Sequence, residues 1–234
     1  MPLLHTPSSC AAVKKEERAM NFKGVIFDLD GTLVNSLEDL ADSMNSVLLK
    51  FKYPVHDLNT YKALIGNGIR NLVRDALPGS NRDEKTIAGC YNLMMKVYEN
   101  NCVNKTKPYD GVMDLLSELK LRKMTLSVFS NKADEFTKKI VQALMPNYFD
   151  IISGLWTEKH KKPNPFGALQ ISEKLAIRPE SMVYLGDTSV DMQTAKNAGM
   201  YGVGALWGFR TREELIAGGA KRIIDNPIDL LNFL

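Results

Sequence analysis

The stretch Lys23-Gly24-Val25-Ile26-Phe27-Asp28-Leu29-Asp30-Gly31-Thr32-Leu33-Val34 decides how the rest of the chain is read. Its first half, Val25 to Phe27, is a continuous apolar run, as expected of a strand covered on both faces. Its second half turns polar, with two carboxylates two positions apart and a glycine that permits a close backbone approach. In an extended segment that spacing points both acids the same way. Carboxylates held close repel each other unless a cation neutralises them or one takes a proton. A DxD at a strand end is also a common turn or helix cap, so the reading depends on what the rest of the chain brings beside it.

Working outward, apolar runs recur at 126–129, 149–152 and 182–185, with weaker ones at 201–205 and 222–224. Helical patterns lie between them. Val112, Leu115, Leu116 and Leu119 share one face, as do Phe136, Ile140, Val141 and Leu144. A third helix follows Pro165, a favourable first helical residue, and a fourth runs from Val190 to a terminating Gly199. Strands alternating with helices predict an α/β fold: a Rossmann-like, mainly parallel sheet with helices on both faces. From about residue 37 to 106 only helical patterns occur, the best at 37–51, 69–77 and 83–99. This predicts a helical cap domain inserted after the first strand, with Lys107-Pro108-Tyr109-Asp110-Gly111 turning the chain back. The expected organisation is an N-terminal extension at 1–21, mobile at its start and compatible with a short helix at 14–20. An α/β core follows from 22–36 and 108–234, with the cap at 37–107.

Bulk properties narrow the function classes. The chain has 234 residues, 44% hydrophobic and 24% charged, which suits a soluble core domain carrying an insertion. A net charge of +3 makes no demand for nucleic acid or an anionic membrane. The short basic run Lys159-His160-Lys161-Lys162 reads by itself as a solvated loop. Cys10, Cys90 and Cys102 are odd in number and widely spaced, which argues against a disulfide framework or zinc site and fits a reducing cytoplasmic setting. The first twenty residues lack a signal-peptide pattern. No apolar run approaches the ~20 residues of a membrane helix.

What ends each apolar run carries the chemistry. The first runs into Asp28 and Asp30, the second into Ser130-Asn131, and the fourth into Gly186-Asp187-Thr188-Ser189-Val190-Asp191. In a parallel sheet these carboxyl ends share one edge, where open α/β folds bind ligands. Four acids suit a hard, oxygen-loving ion such as Mg²⁺. Lys162, Ser130 and Asn131 add positive charge and hydrogen-bond donors, completing a set suited to a metal-bound phosphoryl group. Singly, each signal has a plain structural explanation: Ser-Asn is a frequent N-cap pair, and a lone Lys-Pro says almost nothing. Their conjunction, each after a strand and in this order, is the informative observation.

At these residues the chain resembles the haloacid dehalogenase superfamily of phosphohydrolases. The family's DxDGT motif stands as Asp28 to Thr32, and its strand-end Ser as Ser130. Its KPxP lysine is Lys162, before Pro163-Asn164-Pro165. Its GDxxxD stands as Gly186 to Asp191, followed by Ala198-Gly199-Met200. The match runs from about Phe22 to Leu234. The resemblance implies Asp28 as nucleophile and Asp30 as acid and base. It implies Mg²⁺ held by Asp28, the Asp30 backbone, Asp187 and Asp191, with Ser130 and Lys162 on the phosphoryl oxygens. It also implies substrate contacts from Gly31, Thr32 and Asn131. The presence of Asp30 favours phosphoryl transfer, because haloalkanoate dehalogenases of the superfamily lack this acid. Within the cap, Ile65-Gly66-Asn67-Gly68-Ile69-Arg70 resembles the specificity loop of phosphoglycolate phosphatases, which would bring Arg70 to substrate; the same stretch reads equally as a helix-connecting turn with a surface Arg70. The expected partner is a small phosphorylated metabolite. The alternatives are a hexose-phosphate phosphatase, a β-phosphoglucomutase-type phosphotransferase, or a degenerate phosphate-binding protein.

Overall fold

A computed structural model describes residues 21–234 of the chain; the expectations for residues 1–20, including Cys10, lie outside them. In chain order the elements are β1 (Gly24–Phe27), β2 (Val34–Asn35), α1 (Leu37–Lys50), α2 (Leu58–Leu64), α3 (Ile69–Ala76), α4 (Glu84–Asn101), β3 (Lys107–Pro108), α5 (Val112–Leu121) and β4 (Thr125–Ala133). They continue as α6 (Asp134–Leu144), β5 (Ile151–Leu155), α7 (Phe166–Lys174), β6 (Met182–Gly186), α8 (Ser189–Ala198), β7 (Tyr201–Ala205), α9 (Arg212–Gly218) and β8 (Arg222–Ile224).

Six strands form one sheet in the order β5-β4-β1-β6-β7-β8, all pairs parallel. Every residue of β1 is buried, because β4 and β6 flank it and helices cover both faces. That placement is why Val25-Ile26-Phe27 reads as an unbroken apolar run and not an alternating one. The chain leaves β1 toward β4 and β5, then returns to β6 on the other side of β1. The connection order therefore reverses between β1 and β6, and the carboxyl ends of those two strands carry Asp28 and Asp187. Ligands in open α/β sheets bind at such a reversal.

Residues 37–101 supply the four helices of the insertion. One of these, α2, had no sequence signal of its own; it is a seven-residue element capped by Asp57, whose carboxylate accepts from the Thr60 amide. The insertion leaves and re-enters through the two-residue antiparallel pair β2–β3, Val34 opposite Pro108 and Asn35 opposite Lys107. Asp39, buried in the first turn of α1, accepts from the Lys105 and Thr106 amides and the Thr106 hydroxyl at 2.7–3.0 Å. The outgoing and returning segments are thus tied at one point. Cys90 and Cys102 are buried free thiols. Among the described residues, no helix is long and apolar enough to cross a membrane.

Candidate active site

β1 ends at Phe27, and the chain then folds around the carbonyl of Leu29, which accepts from the amides of Thr32, Leu33 and Val34. Gly31 holds the turn at φ +88°, a left-handed value. A side chain there would collide with Asp187: a Cβ would lie 2.3 Å from its Oδ2. The segment turns after Asp28, and the two acids take different partners. Both line the same cavity, but they grip different lysines.

Asp28 faces the reversal point. Its Oδ1 accepts from Lys162 Nζ at 2.7 Å, and the same ammonium donates to Asp191 Oδ1 at 2.6 Å. Asp28, Asp187 and Asp191 form a buried cluster whose ligand oxygens lie within 4.8 Å of one another. Burial pushes the Asp28 carboxyl up to about 7, against the attraction of Lys162 and with the repulsion of Asp191. Burial, then Asp191 and Asp28, raise Asp187 well above the usual carboxylate range. Burial alone would lower the Lys162 ammonium, yet Asp191 and Asp28 outweigh it and hold it well above its ordinary value. Three carboxylates against one ammonium leave the cluster two charges short of balance. A divalent cation with oxygen ligands is the group that fits this donor set.

Each acid is held by its surroundings. Asp187 accepts from the Thr32 hydroxyl at 3.2 Å and the Phe209 amide at 2.8 Å. Asp191 sits in the first turn of α8 and forms a reciprocal cap with Thr188, whose hydroxyl and amide reach Asp191 Oδ2 at 2.6 and 3.1 Å. Lys162 is anchored through its backbone amide, which donates to Asn131 Oδ1 at 2.8 Å. Asn131 Nδ2 reaches the Gly66 carbonyl of the insertion at 3.4 Å.

Several expected substrate contacts therefore sit elsewhere. Thr32 and Gly31 shape the seat of Asp187, whereas Asn131 lines the cavity and also links Lys162 to the loop at Gly66. Ser130 is buried and lines the cavity. Arg70 is not brought to it. Its guanidinium pairs with Glu84 at 2.5 Å, both side chains substantially exposed, and borders an outer cleft with Tyr91 and Trp156. The GNG turn itself does reach the cavity through Gly66 and Gly68.

Sequence reasoning gave no role to three residues that hold the site together. Lys132 Nζ donates to both oxygens of Asp30 at 2.8 and 2.9 Å, and Ser36 Oγ donates to Asp30 Oδ1 at 2.5 Å. Lys132 is buried because β4 extends to Ala133 through an irregularity after Phe129, which re-aims these side chains. The sequence cue was its position two residues after Ser130, the strand period. Arg210, next to Phe209, donates to the Lys62, Ala63 and Ile65 carbonyls at 2.6, 3.2 and 2.6 Å, gripping the C-terminal end of α2 from the core.

A cavity lies between core and insertion. Asp28, Asp30, Ser130, Asn131 and Lys132 form its core side, with Leu40, Ile65, Ile69 and Leu72 on the cap side. Small-ligand sites have this composition, an apolar wall with a few convergent polar groups.

A family model described as haloacid dehalogenase-like hydrolase matches residues 25–205. The chain is 36% identical over 186 residues to the phosphoglycolate phosphatase of Aquifex aeolicus, covering 79% of this chain and 85% of that one. It is 32% identical over 212 residues to phosphoglycolate phosphatase 1 of Pseudomonas aeruginosa, covering 88% and 78%. A crystal structure described as a predicted phosphoglycolate phosphatase from Haemophilus somnus superposes with a TM-score of 0.84 at 29% identity, covering 91% of this chain and 97% of that one.

Proposed function

The chain belongs to the haloacid dehalogenase-like hydrolases, and on that premise we propose that it is a Mg²⁺-dependent phosphatase of a small phosphorylated acid such as 2-phosphoglycolate, working through a phosphorylated Asp28. As a phosphoric monoester hydrolase it must transfer a phosphoryl group to water. The observation that carries the mechanistic reading is the division of the DxD pair. Asp28 lies against Lys162 and the acid cluster, while Asp30 is held apart by Lys132 and Ser36.

In this reading Asp28 attacks phosphorus and the ester bond to the leaving oxygen breaks. Asp30 gives that oxygen a proton, releasing the alcohol. Asp30 then takes a proton from water, whose oxygen attacks the phosphorus of the acyl phosphate and returns Asp28 and inorganic phosphate. Ser130 and Lys162 hold the phosphoryl oxygens, and two acids in different surroundings divide the nucleophile and proton-transfer duties. Asp28, Asp187 and Asp191 would hold Mg²⁺, which supplies charge neutralisation for the transferred group. Helices α1 and α3 and the turn at Ile65 to Gly68 cover the cavity on the cap side, which limits substrate size and water access. The relatives' names agree with a substrate of that size.

The test is phosphate release from 2-phosphoglycolate with Mg²⁺ and in excess chelator, with Asp28→Asn beside the wild type. Turnover that needs Mg²⁺ and is lost in the variant is expected. Under single turnover in heavy-oxygen water with enzyme in excess, label should enter Asp28; label confined to released phosphate would rule out the covalent route.

A further inference from the structure

We infer that Lys132, and not Arg70, recognises the second anionic group of the substrate, the carboxylate of a phosphorylated small acid. The inference rests on the phosphatase reading above and names the residue that sets its substrate class.

Among the described residues that line the cavity, Lys132 is the only one with a cationic side chain. The neighbouring cations do not line it. Lys162 is committed to Asp28 and Asp191. Lys161 comes near Gly68 but pairs with Glu158 at 3.3 Å. Arg70 pairs with Glu84 on the outer cleft. The rest of the cap wall is aliphatic, so an anionic substituent on the leaving group finds its counter-charge at Lys132 alone.

The position of Lys132 fits the connectivity of such a substrate. Its ammonium bonds both oxygens of Asp30, the side chain that serves the ester oxygen. In a phosphorylated 2-hydroxy acid one carbon separates that ester oxygen from the carboxylate carbon. A cation one hydrogen bond beyond Asp30 is therefore placed to meet the carboxylate while Asp30 meets the oxygen. An ammonium offers three N–H donors and the two Asp30 oxygens take two of them, so one is left for the substrate's carboxylate. A carboxylate-free ester leaves that position unfilled.

The cap contributes to the same spot. The Lys132 ammonium lies 4.8 Å from the ring centroid of Tyr98 on α4, a cation–π contact that orients it without neutralising its charge. The Tyr98 hydroxyl is fully buried and makes no hydrogen bond of good geometry among the described residues, leaving a donor free beside the cation. Seating on Tyr98 links carboxylate recognition to the docked position of the insertion.

The experiment compares kcat/KM for 2-phosphoglycolate and for ethyl phosphate, its carboxylate-free analogue, in the wild type, Lys132→Met, Lys132→Arg and Arg70→Ala, all with Mg²⁺. The wild type should prefer phosphoglycolate at least about tenfold, the size of one hydrogen bond to a charged group. Lys132→Met should lose at least about tenfold more on phosphoglycolate than on ethyl phosphate, by the same estimate. Lys132→Arg should keep part of the preference, and Arg70→Ala should leave the ratio unchanged. Equal losses on both esters would overturn the inference, assigning Lys132 to holding Asp30 alone. Equal wild-type rates on the two esters would also overturn it, without reference to any variant. A wild type that turns over neither ester, nor p-nitrophenyl phosphate, would instead overturn the phosphatase reading on which it rests.

Discussion

Replacing Asp28 with Asn is nearly isosteric, yet it should stabilise the metal-free protein at neutral pH. In the folded chain the Asp28 carboxyl is pushed from 3.8 to about 7, chiefly by burial. A carboxyl raised in the fold is destabilising when ionised. Its unfavourable contribution is absent below pH 4, grows between pH 4 and 7, and is complete above 7, because the folded state binds the proton more tightly than the unfolded chain. Converting the displacement at ~1.4 kcal/mol per tenfold gives an upper bound of roughly 4 kcal/mol. Part of this is offset, since the amide gives Lys162 a weaker partner than the carboxylate at 2.7 Å; a net gain of about 1–3 kcal/mol at pH 8 is expected. Urea titrations of both proteins in chelator, at steps from pH 4 to 8, read the contribution of Asp28 together with its coupling to Asp187 and Lys162. The gap should close as the pH falls toward 4. Mg²⁺ should then reverse the order, because a ligand that binds the folded state alone stabilises it by mass action, and the variant has lost one of three carboxylates. A metal-free difference that is constant with pH, or that favours the wild type at pH 8, would refute the electrostatic account of the cluster.

Two further substitutions probe its scaffolding. Gly31→Ala combines a left-handed φ of +88° with a Cβ placed 2.3 Å from Asp187 Oδ2; it should cost about 1–3 kcal/mol in stability and weaken Mg²⁺ binding by calorimetry, so a variant with wild-type melting and affinity would contradict the geometry. Arg210→Ala removes three hydrogen bonds to the carbonyls at the end of α2, and should weaken docking of the insertion by about 1.5–3 kcal/mol. The readout is faster hydrogen exchange across α2 and α3 with β1 and β6 unchanged, and protection equal to the wild type's would show that Arg210 is not the clasp.

Much of this molecule was legible from its residues in order. The fold class followed from the apolar runs because a strand covered on both faces must be apolar throughout, and β1 and β6 are such strands. The insertion followed from the absence of such runs between residues 37 and 106. Asp28, Ser130, Asp187 and Asp191 could be gathered on paper because parallel strands place their carboxyl ends on one edge, and Lys162 joined them through the KPxP motif of the resemblance. The short helix α2 was missed because seven residues hold too little periodicity to stand out.

Partner choice was not legible. Asp30 and Lys132 lie 102 positions apart, and nothing local to either names the other. Lys132 has no role legible in the sequence until the irregularity in β4 turns it inward. Arg70 reads equally as a substrate ligand and as a surface residue, and its pairing with Glu84, 14 positions on, favours the second. Gly31 and Thr32 read as substrate contacts until the turn around Leu29 sets them behind Asp187. The sequence by itself determined which segments are buried and which chemistry stands at their ends, since burial and residue type are written in short-range pattern. Only the tertiary structure decided which charge answers which, since that depends on a few ångströms of turn, bulge and cap position, which periodicity does not encode.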